Sequence, residues 1–187
     1  MGEKKAYYWD TCVFIAFLGN ERDAYGTVID DIQQFLDEAS RGECEIHCST
    51  ITIAEITRSN CKRADHFDEF MERWGGGIIP ISPDPNTMRI ASELRSAIYS
   101  KTGGERKLHT PDAIHLASAI TLTDAYGVNI DEFHTFDSGK SRAPDGKGVP
   151  LLGYESWCEQ CKDDPLVKRV IDLTRCKPIH PVKKLDL

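Results

Sequence analysis

The sequence predicts an α/β fold in three layers, with a mostly parallel central sheet and helices on both of its faces. Two observations carry that expectation. Short aromatic or β-branched runs alternate with segments of helical period almost throughout, the pattern of strand–helix–strand crossovers. Acids also recur where those strands end or the next helices begin, at the carboxyl edge where such folds place their sites.

The elements follow in order. "AYYWD" is a short aromatic strand ending at Asp10, and "CVFIAFL" is a buried turn of helix. Between Tyr25 and Ala39 the apolar residues fall at Tyr25, Val28, Ile29, Ile32, Phe35, Leu36 and Ala39, an amphipathic helix. "CEIHCST" is a second strand, "TIAEITRSNCKR" a third helix and "HFDEFMERW" a fourth. "GGGIIPIS" reads as three flexible residues and a short strand. Met88, Ala91, Leu94 and Ile98 mark another helix. "LHTPDAIHLASAI" starts a helix that runs to about Ala125, with Thr110 as N-cap, Pro111 first and Asp112 second. "EFHTFD" is the last clear strand, ending at Asp137; "SGKSRAPDGKG" is a loop, and "VPLLG" adds an edge strand. No internal repeat or low-complexity tract interrupts the series.

Composition bounds the function. The 187 residues suit one domain, with room for an appendage, and 40% hydrophobic content supplies an ordinary core. No run approaches the roughly 18 apolar residues of a membrane span, and "MGEKKAYYWD" has neither a signal-peptide core nor a myristoylation pattern, so the expected compartment is the cytoplasm with no membrane partner. Seven cysteines, an odd number outside a short secreted framework, read as reduced thiols. A net charge of −7 argues against a surface coated for nucleic-acid binding. It leaves room for a nucleic-acid enzyme, because a metal-binding carboxylate cluster itself lowers the net charge.

Asp10 closes the first strand and Asp137 the last, while Glu55 lies one turn into the helix after the second strand and Asp112 in the first turn of its helix. Each alone has an ordinary reading as a cap, a turn acid or an exposed helix residue. Together at equivalent strand ends they would converge, and converging carboxylates need a cation to stay ionised. A hard divalent ion supplies it, and such a centre can activate water against a phosphodiester.

"YYWDTCVFIAFL", "STITIAEITR", "TPDAIHLASAI" and "FHTFD" resemble, in order and spacing, the four acidic motifs of PIN-domain nucleases, and most strongly those of the VapC-type toxins of toxin–antitoxin pairs. The resemblance runs from about Ala6 to Leu152. It implies a PIN-like nuclease domain over 1–152 and a C-terminal extension over 153–187, the latter outside the family pattern. It implies that Asp10, Glu55, Asp112 and Asp137 are the catalytic, metal-binding acids for Mg²⁺ or Mn²⁺. Thr11 matches the hydroxyl residue after the first acid, and Thr135 the threonine of the last motif. The implied activity is RNA cleavage, and the implied partners are an RNA substrate, an antitoxin and a second copy in a homodimer. The alternative is a PIN-like module that binds RNA or protein without catalysis. An aspartyl phosphatase is disfavoured, since "DTC" lacks a second Asp two residues on.

Basic residues flank the acid motifs: Arg58, Lys62 and Arg63; Arg106, Lys107 and His109; Lys140, Arg142 and Lys147. They are candidates for phosphate contact, against the plainer reading of solvated charge. His115, one turn past Asp112, reads as a packed, hydrogen-bonded histidine, with a position facing the site as the alternative. In the tail, Cys158, Cys161, Cys176 and His180 have spacing that permits a Cys₃His zinc site, against the plainer reading of incidental thiols.

Overall fold

A strand whose side chains are buried on both faces belongs in the middle of a sheet, and Ala6 through Trp9 are all buried. The structure is a computed structural model that describes residues 4–63, 67–139 and 146–181. Its elements run β1 (Lys5–Trp9), α1 (Thr11–Leu18), α2 (Arg22–Tyr25), α3 (Val28–Ser40), β2 (Cys44–Ser49), α4 (Ile51–Glu55), α5 (Phe67–Trp74) and β3 (Ile78–Ile81). They continue as α6 (Pro85–Ser96), β4 (Tyr99–Lys101), β5 (Gly104–Arg106), α7 (Thr110–Tyr126), β6 (Glu132–His134), α8 (Pro165–Asp172) and β7 (Arg175–Cys176). The main sheet is five-stranded in the order β3-β2-β1-β6-β7, and every pairing in it is parallel. β4 and β5 form a separate antiparallel hairpin.

Strand alternation divides the core in two. Tyr7 and Trp9 join Val13, Phe14, Phe35 and Phe70 beneath α1, α3 and α5, while Tyr8 and Phe133 join residues of α6, α7 and α8 on the opposite face. The result is a three-layer α/β arrangement of the Rossmann-like kind. α7 explains its own composition: every residue from Ala113 to Leu122 is buried, so small side chains let the sheet and neighbouring helices close around it. Among the described residues no helix is long and apolar enough to cross a membrane.

Several local expectations need correcting. The strand expected over "EFHTFD" stops at His134 and leaves Asp137 in the chain beyond it, and Ile98 lies exposed past the end of α6, because the backbone turns extended at Ala97. The helix expected over "TIAEITRSNCKR" stops at Glu55; Ile56 is extended, and Thr57 opens a 3₁₀ turn capped reciprocally with Asn60. The β-branched run Ile51, Thr52, Ile53 propagates a helix weakly, and the Thr57 cap offers the backbone a rival arrangement. The N-cap of α7 is His109 rather than Thr110, one residue earlier than expected. "VPLLG" forms no strand; the sheet edge is β7, from the tail. The glycine triplet forms a 3₁₀ turn, Gly75–Gly77, against α3 rather than a free link.

The tail is built into the same body. Tyr154, Trp157, Val167 and Val170 are buried in the second core. Arg175, nearly buried, donates to the carbonyls of Val170, of Leu173 at 2.9 Å and of Leu151 at 3.0 Å, and pairs with Glu155 at 2.8 Å. Those bonds end α8 and fix β7 in place.

Gly77 yields a direct test of the packing between α3 and the turn before β3. A Cβ there would run into the Ala39 backbone carbonyl, whereas one on Gly76 would meet only the Ser40 Cα at 4.0 Å. Gly77→Ala should cost about 1–3 kcal/mol or more in urea unfolding. Gly76→Ala should stay within about 0.5 kcal/mol of wild type, and equal costs for the two would refute this packing.

Candidate functional site

β1 lies between β2 and β6, so the strand order turns at β1 and leaves a crevice beyond its carboxyl end. A cleft of about 1010 Å³ opens there, lined by Asp10, Glu55, Asp112 and Asp137. All four acids singled out in the sequence thus reach one cavity, from β1, α4, α7 and the chain after β6.

Each carboxylate is held differently. Asp10 is 6% exposed. Its Oδ2 accepts from Thr135 Oγ1 at 2.8 Å and from Cys12 Sγ at 3.0 Å, and its Oδ1 lies 3.5 Å from His115 Nε2. Burial and then Asp10 itself push Cys12 well above the ordinary thiol range, which keeps it a donor. Glu55 Oε2 accepts from Thr11 Oγ1 at 2.6 Å and from His115 Nε2 at 3.1 Å. Tyr8 Oη lies 3.1 Å from His115 Nδ1, so the network assigns the proton to Nε2 and makes the tyrosine the donor at Nδ1. Burial alone would raise the Glu55 carboxyl; the bonds from His115 and Thr11 outweigh it and hold the group below its ordinary range. Asp137 is oriented by backbone amides, Gly139 N–H to Oδ1 at 2.8 Å and Leu151 N–H to Oδ2 at 3.0 Å. Gly139 makes its bond from a left-handed conformation, φ 68°, that glycine adopts without strain.

Asp112 has no such donors described, and its carboxyl is pushed up to about 8, by burial first and then by the fields of Asp10, Asp137 and Glu55. The cleft therefore holds more negative charge than its surroundings compensate. No three ligand atoms of the four acids come within 4.8 Å of one another among the described residues; the carboxylates stand apart as like charges do. Asp10 Oδ2 and Glu55 Oε2 each accept two hydrogen bonds, which leaves Asp10 Oδ1, Glu55 Oε1 and the second lone pair of each Asp137 oxygen toward the cleft. This all-oxygen donor set fits a hard divalent ion such as Mg²⁺ or Mn²⁺.

The expected cations divide. Lys107 and His109 line the cleft. Arg106 instead lies over the Trp157 ring at 4.1 Å and donates to the Gly148 carbonyl, so it is committed to packing. Arg63 is likewise spent over Phe17, and Arg58, Lys62 and Lys147 do not line the cleft. Lys140 and Arg142 lie outside the described residues. Sequence reasoning missed Arg95 and Lys177, which do line it, because neither is near an acid motif. It also missed Tyr25 and Phe136, stacked at 4.0 Å in the cleft wall. His115 is the packed, hydrogen-bonded histidine expected, and its partners are Glu55 and Thr11 at the site.

The four tail residues do not form one site. Cys158 is buried and bonds the Tyr154 carbonyl, with Cys161 near it. His180 pairs with Glu38 at 3.0 Å and packs on Phe35. Cys176 instead meets Glu132 and His134, and those three offer ligand atoms within 4.8 Å of one another, a cluster able to coordinate a metal ion. The pairing of β7 with β6 sends Cys176 there, away from Cys158.

The Asp112 shift predicts a pH dependence for metal-free protein. A folded value raised from 3.8 to about 8 means that the group favours the fold below pH 4 and that this contribution is lost as pH rises toward 8. Wild type should lose up to about 1.4 kcal/mol per pH unit across that window relative to Asp112→Asn. Urea midpoints at pH 5 and 8 measure it; parallel curves for the two proteins would contradict the geometry.

Compared with known proteins, the sequence matches no protein-family model and no curated protein.

Proposed function

We propose that the chain is a divalent-metal-dependent endoribonuclease of the PIN type, with Asp10, Glu55, Asp112 and Asp137 as its metal-binding acids. The observation that supports this reading best is the state of Asp112, driven toward neutrality by three other carboxylates in one cleft. That arrangement disfavours itself until a cation arrives. When bound, Mg²⁺ or Mn²⁺ supplies Lewis-acid activation of water and offsets charge on the departing oxygen.

The chain's own groups do the positioning. Thr135 and Cys12 aim Asp10, Thr11 and His115 aim Glu55, and two amides aim Asp137. Lys107, Lys177 and Arg95 meet phosphates along the cleft, and the Tyr25–Phe136 pair offers a base a stacking surface. A module that only bound RNA would gain nothing from four acids facing a polyanion, which favours catalysis over the non-catalytic alternative. Within this reading residues 1–152 are the nuclease part and 153–187 an extension that completes its sheet. If the protein is the toxin of a pair, its antitoxin would cover the cleft with an Arg or Lys, since a cation can substitute for metal charge there.

Labelled single-stranded RNA, incubated in parallel with EDTA, Mg²⁺, Mn²⁺ and Ca²⁺, tests the proposal. Cleavage should require Mg²⁺ or Mn²⁺, and Ca²⁺ should support little, its looser shell positioning water poorly. Asp10→Asn and Asp112→Asn should each lose activity by about 100-fold or more while remaining folded. Cutting that persists in EDTA, or equally in both variants, would sink this reading.

RNA binding checks the cleft separately. Lys107→Ala and Lys177→Ala should each weaken binding of single-stranded RNA and reduce the slope of log affinity against log salt by about 0.7. Arg58→Ala should do neither. The reverse ranking would place the RNA elsewhere.

A further inference from the structure

Glu132 and His134 stand two residues apart on β6, so both project from one face of the sheet. Cys176 pairs directly with His134 in the β6–β7 register and joins them. The three side chains come from residues about 40 positions apart and are brought together only by the last strand of the sheet. They have no part in the acidic cleft.

We propose that Glu132, His134 and Cys176 form a structural site for zinc or a similar borderline transition-metal ion, which clips the C-terminal strand to the sheet. This inference is independent of the ribonuclease reading.

Donor chemistry selects the ion. Thiolate, imidazole and carboxylate together suit Zn²⁺ and not Mg²⁺ or Ca²⁺. His134 Nε2 and Glu132 Oε2 are 2.9 Å apart. Two ligands of a tetrahedral zinc are separated by about 3.3 Å for metal–ligand distances near 2.1 Å, so a shift of a few tenths of an ångström admits the ion. Charge also balances. A thiolate, a carboxylate and a neutral imidazole offset two positive charges, and the thiol proton leaves to solvent as the metal binds. Glu132 is 38% exposed in its side chain, which gives the ion a route in and leaves a fourth position for water.

His134 is wholly buried, so its Nε2, the nitrogen that faces Glu132, is held in a fixed place for the ion.

Cobalt reports this site directly, since a bound thiolate gives Co²⁺ a charge-transfer absorption that carboxylates do not. The full chain, stripped by a chelator, is titrated with Co²⁺ and then with Zn²⁺ in competition. The expected result is a thiolate band saturating near one equivalent, displaced by Zn²⁺ and untouched by excess Mg²⁺. Cys176→Ser should abolish the band, and Glu132→Gln should weaken affinity by about 10-fold or more. Cys12→Ser and Cys158→Ser, which remove thiols near the acidic cleft and in the tail, should leave it intact. Zn²⁺ should raise the melting temperature of wild type and not of Cys176→Ser. No band in wild type, a band that survives Cys176→Ser, or one lost with Cys158 would each overturn the proposal.

Discussion

A carboxylate at the end of a strand buried on both faces cannot turn freely to water, and the cleft is organised around that constraint at Asp10. A buried charge left unpaired is costly, so donors must be delivered to it. The β1–β6 register delivers them. Trp9 pairs with His134, which sets Thr135 opposite Asp10, and the Thr135 hydroxyl bonds both the Asp10 carboxylate and the Asp137 amide. A slip of one residue would bring His134 or Phe136 to that place and turn every β6 side chain to the wrong face. One strand pairing thereby fixes two of the four acids.

The remaining two acids show how environment divides equal chemistry. Glu55, supported by Thr11 and His115, is favoured as the ion; Asp112, with no donor among the described residues and faced by three acids, is pushed toward the neutral form. His115 makes the difference because it reaches across the fold: it stands on α7 yet serves the ends of β1 and α4, with Tyr8 bracing its other nitrogen. The cations that line the cleft, Arg95, Lys107 and Lys177, are exposed, while burial and the three other acids raise Asp112. Charge is thus layered, with acids on the floor and bases nearer solvent, an order suited to holding a polyanion over a metal.

Much of this frame was legible in the sequence, and what was not has a common cause. Period and run length located β1, β2, α3 and α7, and Asp10 at the end of β1 followed, because these signals are local; Asp137, expected to close the last strand, stands three residues beyond β6. The bond from His115 to Thr11 spans 104 residues and exists only once α7 is packed on the sheet. The same is true of Cys176. Its spacing from Cys158 and Cys161 pointed to a shared site, yet β7 is two residues long and its partner strand is far away in the chain. Arg106 beside an acid motif looked free, and a tryptophan from the tail took it. Local patterns do not encode such partners.

β6 shows why a short strand can carry so much. Its alternation sends Phe133 into one core and Glu132 with His134 to the other face, and the chain continues at once into Thr135 and Asp137. The Thr135 amide bonds the Cys176 carbonyl at 2.9 Å, while the Thr135 side chain holds Asp10. The bond that seats β7 is therefore made by the residue that aims the central acid. Any loosening of β7 releases the backbone of Thr135 and, through its hydroxyl, the alignment of Asp10. The tail lies outside the span of the acidic motifs, yet the geometry of the cleft depends on its staying in the sheet.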